Sequence, residues 1–283
     1  MTLRFAQISD LHYAHASWNP RQFFSKQWLG NFNLLLFRQR QFLPQRLELL
    51  VPLLKEKRIN NLVVCGDISS TSRPAEFAMG KAFIEKTGIK TFSVPGNHDH
   101  YTRRAYREKW FYDYFPAKYQ EEFNLKDHSV AAEKIAPGWW MALLDTAIAT
   151  SLVSSEGLFS IVAEAHLERL LRQIPENDRI ILVTHYPLFS PDHDRKKLLR
   201  ASALQALLRR HRNVKLYLHG HTHRHCIADL RPDGLPILLD AGTVSFRKRA
   251  TCNFFEISDQ KCTIDVYSFG TEWEKERSTT LTW

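Results

Sequence analysis

The stretch TFSVPGNHDH, Thr91–His100, decides how this chain is read. Thr91–Val94 has the apolar character of a short strand. Pro95 and Gly96 break the run, and Asn97, His98, Asp99 and His100 follow at once. An amide, two imidazoles and a carboxylate are metal-binding and proton-handling groups. A lone cluster of this kind also suits an ordinary turn. Partners elsewhere in the chain decide between the two.

Working outward, other expected strands end the same way. Leu3–Ile8 runs into Ser9-Asp10-Leu11-His12, and Leu62–Cys65 into Gly66-Asp67. Ile180–Val183 runs into Thr184-His185, and Leu216–Leu218 into His219-Gly220-His221-Thr222-His223. In α/β folds, sites form in the crevice at the carboxyl ends of strands. Between these strands the apolar spacing predicts helices over Leu43–Lys57, with Leu47, Leu50 and Leu54 on one face, and near Ala75–Thr87, Ala163–Gln173 and Ser202–His211. Further strands are expected at Trp140–Leu144, Pro236–Asp240, Cys252–Ile257 and Thr263–Phe269, and Trp273–Trp283 reads as a loose tail. The alternation predicts one α/β domain over residues 1–283, with inserted segments at about 17–43 and 100–125.

Composition bounds the partners. With 44% hydrophobic and 24% charged residues the chain can bury a substantial core. The net charge of +9 favours anionic partners: phosphate esters, nucleic acid or an anionic membrane surface. Cys65, Cys226, Cys252 and Cys262 form no CxxC pair, which argues against a cysteine zinc site and a disulfide framework. Reduced thiols and a cytoplasmic protein are expected, with no signal peptide and no run near the ~18 apolar residues of a membrane span.

The strand-end residues suit two divalent cations, which need a bridging carboxylate and mixed N and O ligands. Asp67 is the natural bridge. Asp10, His12 and His223 could complete one site, and Asn97, His185 and His221 the other. A single strand-end Asp is more often a turn former or helix cap, and a single His a packing residue. Five such ends in order leave little room for that explanation.

The ordered set D-x-H, GD, GNHD, TH and GHTH, from Asp10 to His223, resembles the calcineurin-like metallophosphoesterase superfamily. The resemblance implies a four-layer α/β fold, a central β-sandwich flanked by helices, with a dinuclear centre of Mn, or else Fe, Zn or Mg, at its edge. It implies that His98 acts beside the scissile phosphate and that Asp99 orients it through its other ring nitrogen. His100 is an extra group, expected at the surface or lining a substrate pocket.

Three basic segments bear on the substrate. Trp18–Phe42 has no acidic residue and repeats Phe24, Trp28, Phe32 and Leu36 at four-residue spacing. That pattern suits a helix in a membrane interface, or equally one packed on the domain as a cap. Arg195–Cys226 also lacks acids, and Tyr101–Phe123 interleaves cations with aromatics. Within the superfamily these features look similar to the chlamydial-type UDP-2,3-diacylglucosamine pyrophosphatases of lipid A synthesis, which implies a phosphorylated lipid substrate and peripheral attachment to the inner membrane. The alternative is a cyclic nucleotide phosphodiesterase, whose relatives also carry GNHD. Arg103, Arg104, Arg247, Arg249, Trp28 and Phe32 are the candidate substrate contacts. A non-enzymatic scaffold of the same fold is disfavoured by the complete ligand set. No specific nucleic-acid module is present.

Overall fold

A computed structural model describes residues 2–15, 41–119, 122–151, 154–189 and 194–283. Trp28, Phe32 and most of the 17–43 segment lie outside them. The main strands are β1 Leu3–Ile8, β2 Asn61–Val64, β3 Lys90–Ser93, β4 Val130–Ala136, β5 Trp139–Leu144 and β6 Arg179–Val183. They continue as β7 Val214–His219, β8 Cys226–Asp229, β9 Ile237–Asp240, β10 Ala250–Ile257, β11 Lys261–Phe269 and β12 Trp273–Thr282. The helices are α1 Gln45–Glu56, α2 Pro74–Thr87, α3 Arg103–Arg107, α4 Trp110–Tyr114, α5 Leu125–His128, α6 Ile161–Gln173 and α7 Ala201–Arg210.

These strands form two six-stranded mixed sheets, in the orders β12-β11-β10-β1-β2-β3 and β8-β9-β7-β6-β5-β4. In the second sheet the side-chain alternation is legible in the sequence. Met141, Leu143, Ile181, Val183, Leu216, Leu218, Ile237 and Leu239 join the core shared with the first sheet. Their neighbours Trp140, Ala142, Leu144, Ile180, Leu182, Tyr217 and Leu238 join a second core with Leu167, Leu170 and Leu171 of α6 and Leu204, Leu207 and Leu208 of α7. A strand with apolar residues at every position is what burial on both faces requires. On the first sheet, Leu47, Leu50, Val51 and Leu54 bury the apolar face of α1. Each fully buried leucine contributes about 2 kcal/mol. The expected α/β sandwich with flanking helices is the observed architecture.

The helix ends follow local chemistry. Pro74 opens α2, Glu76 reaches back to the Arg73 backbone N–H at 3.2 Å, and Gly88 closes the helix at φ 67°. The Ser160 hydroxyl caps α6 by accepting from the Ala163 N–H at 3.0 Å.

The carboxy-terminal segment differs from expectation. Trp273–Thr282 is a strand paired antiparallel along β11. Its run of charged and hydroxyl side chains hides the strand signal, because an edge strand needs polar cover against further pairing.

An ion-pair network ties α6 to α7. Glu168 accepts from Arg172 at 2.8 Å and from Arg210 at 2.6 Å, with His211 at 3.4 Å. Hydrogen bonding from Arg210, outweighing the opposing burial and aided by Arg172 and His211, holds its carboxyl down at about 2. A depressed carboxylate stabilises the fold above its unfolded pKa, and the contribution is lost as pH falls through the folded value. Glu168→Gln is therefore expected to cost ~1 kcal/mol at pH 7. In thermal melts the gap from the unsubstituted protein should shrink as pH falls from 4.5 towards about 2. A gap that persists at the acid end would show that packing, not charge, carries the effect.

Candidate functional site

In the first sheet β1, β2 and β3 run parallel, and in the second β5, β6, β7 and β9 do. Their carboxyl ends meet at one edge of the sandwich. Backbone bonds lock the edge together: the Asp10 N–H donates to the Gly66 carbonyl at 3.0 Å, and the Gly220 N–H to the His185 carbonyl at 3.1 Å. The His221 N–H donates to the Asp10 carboxylate across the two sheets at 3.1 Å.

One ligand atom each from Asp10, His12, Asp67 and His223 lies within 4.8 Å of the others. His12 Nε2 and His223 Nε2 are 3.4 Å apart, and His223 Nε2 is 2.9 Å from Asp10 Oδ1. Two nitrogens bound to one ion at ~2.1 Å sit about this far apart. A second convergence adjoins it: His185 Nε2 is 3.1 Å from His221 Nδ1 and 3.6 Å from Asp67 Oδ2. Asp67 Oδ2 is also 3.8 Å from His12 Nε2, so this carboxylate stands between the two groups. Asn97 lies between Gly96, packed against Asp67, and His98, whose N–H donates to Asp67 Oδ1 at 2.8 Å.

A buried polar atom tests whether the residues fit metal ions. Asn97 Oδ1 is buried without a hydrogen-bond partner among the described residues. Leaving such an atom bare costs about 1–3 kcal/mol, and cations at this edge would satisfy an amide oxygen placed so. The His185 ring is set for ligation as well. Its Nδ1 lies 2.6 Å from the Cys65 carbonyl, which can only accept, so Nδ1 carries the proton and Nε2 offers its lone pair. Burial lowers the pKa of both His185 and His221, which favours the neutral imidazoles that ligation needs. Asp10 is ionised: burial raises its pKa, but the His223 charge and bonds from His12 and His223 hold it well below the usual range.

The backbone is strained here. Asp10, His12, Asp67, His221 and His223 have φ of 57°, 51°, 53°, 70° and 59°. Non-glycine residues adopt this left-handed region at a cost of about 1 kcal/mol or more, and such outliers gather at functional sites. Gly220 is required between them, because a Cβ there would overlap Ser9 Oγ and press on Asp10 Oδ2 at 2.7 Å.

The structure corrects one assignment. Asp99 does not orient His98: its buried carboxylate accepts from the N–H groups of Ile68, Ser69 and Gly96 at 3.2, 2.8 and 3.0 Å and from the Ser69 hydroxyl at 2.9 Å. Burial raises its pKa against these bonds. It is the staple of the GNHD loop. The side chain turns into the loop because the unpaired N–H groups there outcompete a single imidazole. His98 is oriented by a backbone carbonyl, its Nδ1 lying 2.8 Å from Ser70 O. Its ring stacks on Tyr101 with centroids 5.7 Å apart.

The other candidates divide. His100 is fully buried, not at the surface; its Nε2 is 3.7 Å from Asp145 and its ring is edge-on to Tyr106. Arg104 pairs with Glu108 at 2.9 Å and lies over Trp110, and Arg249 pairs with Glu276 at 2.6 Å. Arg103 and Arg247 are exposed. Two further strand ends carry functional groups that the motifs above leave out. Asp145 follows β5 and binds the Tyr112 hydroxyl. Asp240 ends β9 and accepts from the Thr222 hydroxyl at 2.6 Å, holding the GHTH loop. Both carry the same signal, an Asp closing an apolar strand, and could have been found by it. Phe42 had no such signal: its ring sits 4.2 Å from that of His12 and 5.8 Å from that of His223.

Comparison with known proteins agrees with this geometry. A 3',5'-cyclic-nucleotide phosphodiesterase of Nostoc sp. is 26% identical over 182 residues, 64% of this chain; the match covers 60% of that protein's length. A dimetal phosphatase from Danio rerio superposes with a TM-score of 0.68 at 15% identity, over 99% of this chain and 98% of that one. A purple acid phosphatase of Lupinus luteus does so with a TM-score of 0.65 at 11% identity, over 100% of this chain and 54% of that one. Residues 3–225 match the family model of the calcineurin-like phosphoesterases, a stretch that holds every candidate metal ligand from Asp10 to His223, and the chain belongs to that family.

Proposed function

We propose that the chain hydrolyses the diphosphate of UDP-2,3-diacylglucosamine to lipid X and UMP, working at the inner membrane surface with Asp10, His12, Asp67 and His223 around one metal ion and Asp67, Asn97, His185 and His221 around a second. The single observation that supports a substrate of this kind is the wall beside the metal cradle. Phe42 and Phe246 stand against His12 and His223, with ring centroids 5.7 Å apart, and the exposed Arg247 and Lys248 follow directly. Apolar and cationic groups side by side suit an amphiphilic phosphate ester.

Bound divalent ions, with manganese the expected pair, would supply a water of lowered pKa and a clamp on the phosphoryl oxygens. The chain's own residues do the rest. Asp67 stands where both cations would be shared. His98, its Nδ1 held 2.8 Å from the Ser70 carbonyl, is the residue that gives a proton to the leaving oxygen when charged. Ser9 and the His221 N–H hold the Asp10 carboxylate at 2.6 and 3.1 Å, so it need not reorganise during turnover. Among the described residues no helix is long and apolar enough to cross a membrane; attachment in this reading is by the surface alone.

A second reading, cyclic nucleotide hydrolysis, is favoured by the similarity to the Nostoc phosphodiesterase. Phosphorus NMR separates the two. The manganese-loaded protein is incubated with UDP-2,3-diacylglucosamine in detergent micelles, and in parallel with cyclic AMP. Loss of the diphosphate resonances with appearance of UMP is expected. Hydrolysis of cyclic AMP alone would replace the first reading by the second.

A further inference from the structure

Most described arginines near a carboxylate are paired with it: Arg4 with Glu256, Arg172 and Arg210 with Glu168, Arg200 with Glu164, Arg231 with Asp229 and Arg249 with Glu276. Three cations at the rim of the metal cradle break this pattern. Arg46, Arg247 and Lys248 have no carboxylate partner among the described residues. We propose that Arg247 and Lys248 form a second anion subsite, which takes a phosphoryl group of the substrate other than the scissile one. The proposal rests on the phosphohydrolase reading of the same site and makes its substrate class one with two adjacent phosphoryl groups.

The turn that carries these residues is fixed to the metal centre. The Val244 N–H donates to the Ser9 carbonyl at 3.0 Å, and the Ser245 hydroxyl to the Asp10 carbonyl at 3.1 Å. The Leu43 N–H donates to Ser245 O and the Arg247 N–H to Gln41 O, each at 2.7 Å. Arg46 completes the clamp: its guanidinium donates to the carbonyls of Phe246 at 2.6 Å and Arg247 at 3.1 Å while lying over the Phe269 ring. Phe246 then stands 6.4 Å, ring to ring, from His223. The two exposed side chains therefore leave a rigid backbone one and two residues beyond a ring that faces a metal-binding histidine.

Electrostatics argues for an anion there. Burial, and then the charge of Arg247, lowers the pKa of Arg46, as expected of like charges held together without a counter-ion. A charge run on a mobile surface loop would be solvated and neutral in effect. Here the clamp fixes the backbone that carries the cations, so only their side chains must be ordered when they bind. Arg46 is a positioning residue, because its donors are engaged by the turn. Arg249 belongs to a different arrangement, held by Glu276.

Calorimetry with ADP and AMP on the manganese-loaded full chain tests this, since the two differ by one phosphoryl group. ADP is expected to bind about tenfold or more tighter than AMP. In the Arg247→Ala/Lys248→Ala double variant that preference should vanish, whereas Arg247→Lys should keep most of it. Melting temperature and metal content, measured on each variant, show that the fold and cradle persist. Equal affinities in the unsubstituted protein, or a preference that survives in the double variant, would overturn the subsite. Hydrolysis of bis(4-nitrophenyl) phosphate by the unsubstituted protein is read separately. Its absence would sink the phosphohydrolase reading while the ratio of affinities still judges the subsite.

Discussion

Asp67→Ala is expected to lose both metal ions and about a thousandfold or more of the rate on a generic phosphodiester. The expectation follows from position. Asp67 Oδ2 lies 3.8 Å from His12 Nε2 and 3.6 Å from His185 Nε2, so a single carboxylate serves both halves of the site. Removing it leaves the imidazoles of two groups crowded together with one fewer negative charge to offset the cations. It also takes the acceptor from the His98 N–H, at 2.8 Å, and so loosens the loop that carries Asn97. Elemental analysis of the dialysed variant, read beside its rate, checks the point. Retention of two ions per chain, with a rate within tenfold, would show that Asp67 is not shared. Asp67→Asn separates charge from shape: it should hold the loop but bind metal weakly.

The second large effect has the opposite metal signature. His98→Ala should keep both ions and lose roughly 10²–10⁴ in kcat, the usual worth of a positioned proton donor. His98 is outside the set of side chains assigned to the two ions. Its Nδ1 is held by Ser70 O, and its ring packs between Tyr101 at 5.7 Å and the edge of His12 at 5.0 Å. A general acid matters most when the leaving oxygen is basic. The loss should therefore be larger for alkyl than for 4-nitrophenyl leaving groups. An equal loss for both would assign His98 to transition-state charge stabilisation, and an unchanged rate would refute its role. Asp99→Asn offers the contrast. If Asp99 oriented His98, this change would act on kcat alone. With Asp99 stapling the loop through Ile68, Ser69, Gly96 and the Ser69 hydroxyl, it should lower stability and metal retention together.

Much of the centre is legible in the order of residues. Asp10, His12, Asp67, Asn97, His185, His221 and His223 all come together at one edge, because each follows a strand whose direction is fixed by parallel pairing. The helices are legible for a similar reason: the spacing of Leu47, Leu50 and Leu54 dictates a buried stripe. The loop interior is not. Nothing in the order of letters distinguishes a carboxylate that points at its neighbour's ring from one that turns back onto three N–H groups, as Asp99 does. The last strand is hidden because Glu274, Lys275, Glu276 and Arg277 read as solvated chain, while their pairing with β11 is a contact across a turn.

By itself, then, the sequence determined most of the strands, the alternation that sends Met141 and Leu143 to one core and Ala142 and Leu144 to the other, and the inventory of metal-binding side chains, since these are properties of local spacing and residue type. Only the tertiary structure decided which groups face one another. The left-handed backbone of Asp10, His12, Asp67, His221 and His223, the Ser70 carbonyl on His98, Phe42 against His12 and the Arg46 clamp under Arg247 all join residues far apart in the chain or depend on strain that such contacts offset. That is a physical limit: a conformation held against its own local preference is specified by its distant neighbours, and these are fixed only when the two sheets pack.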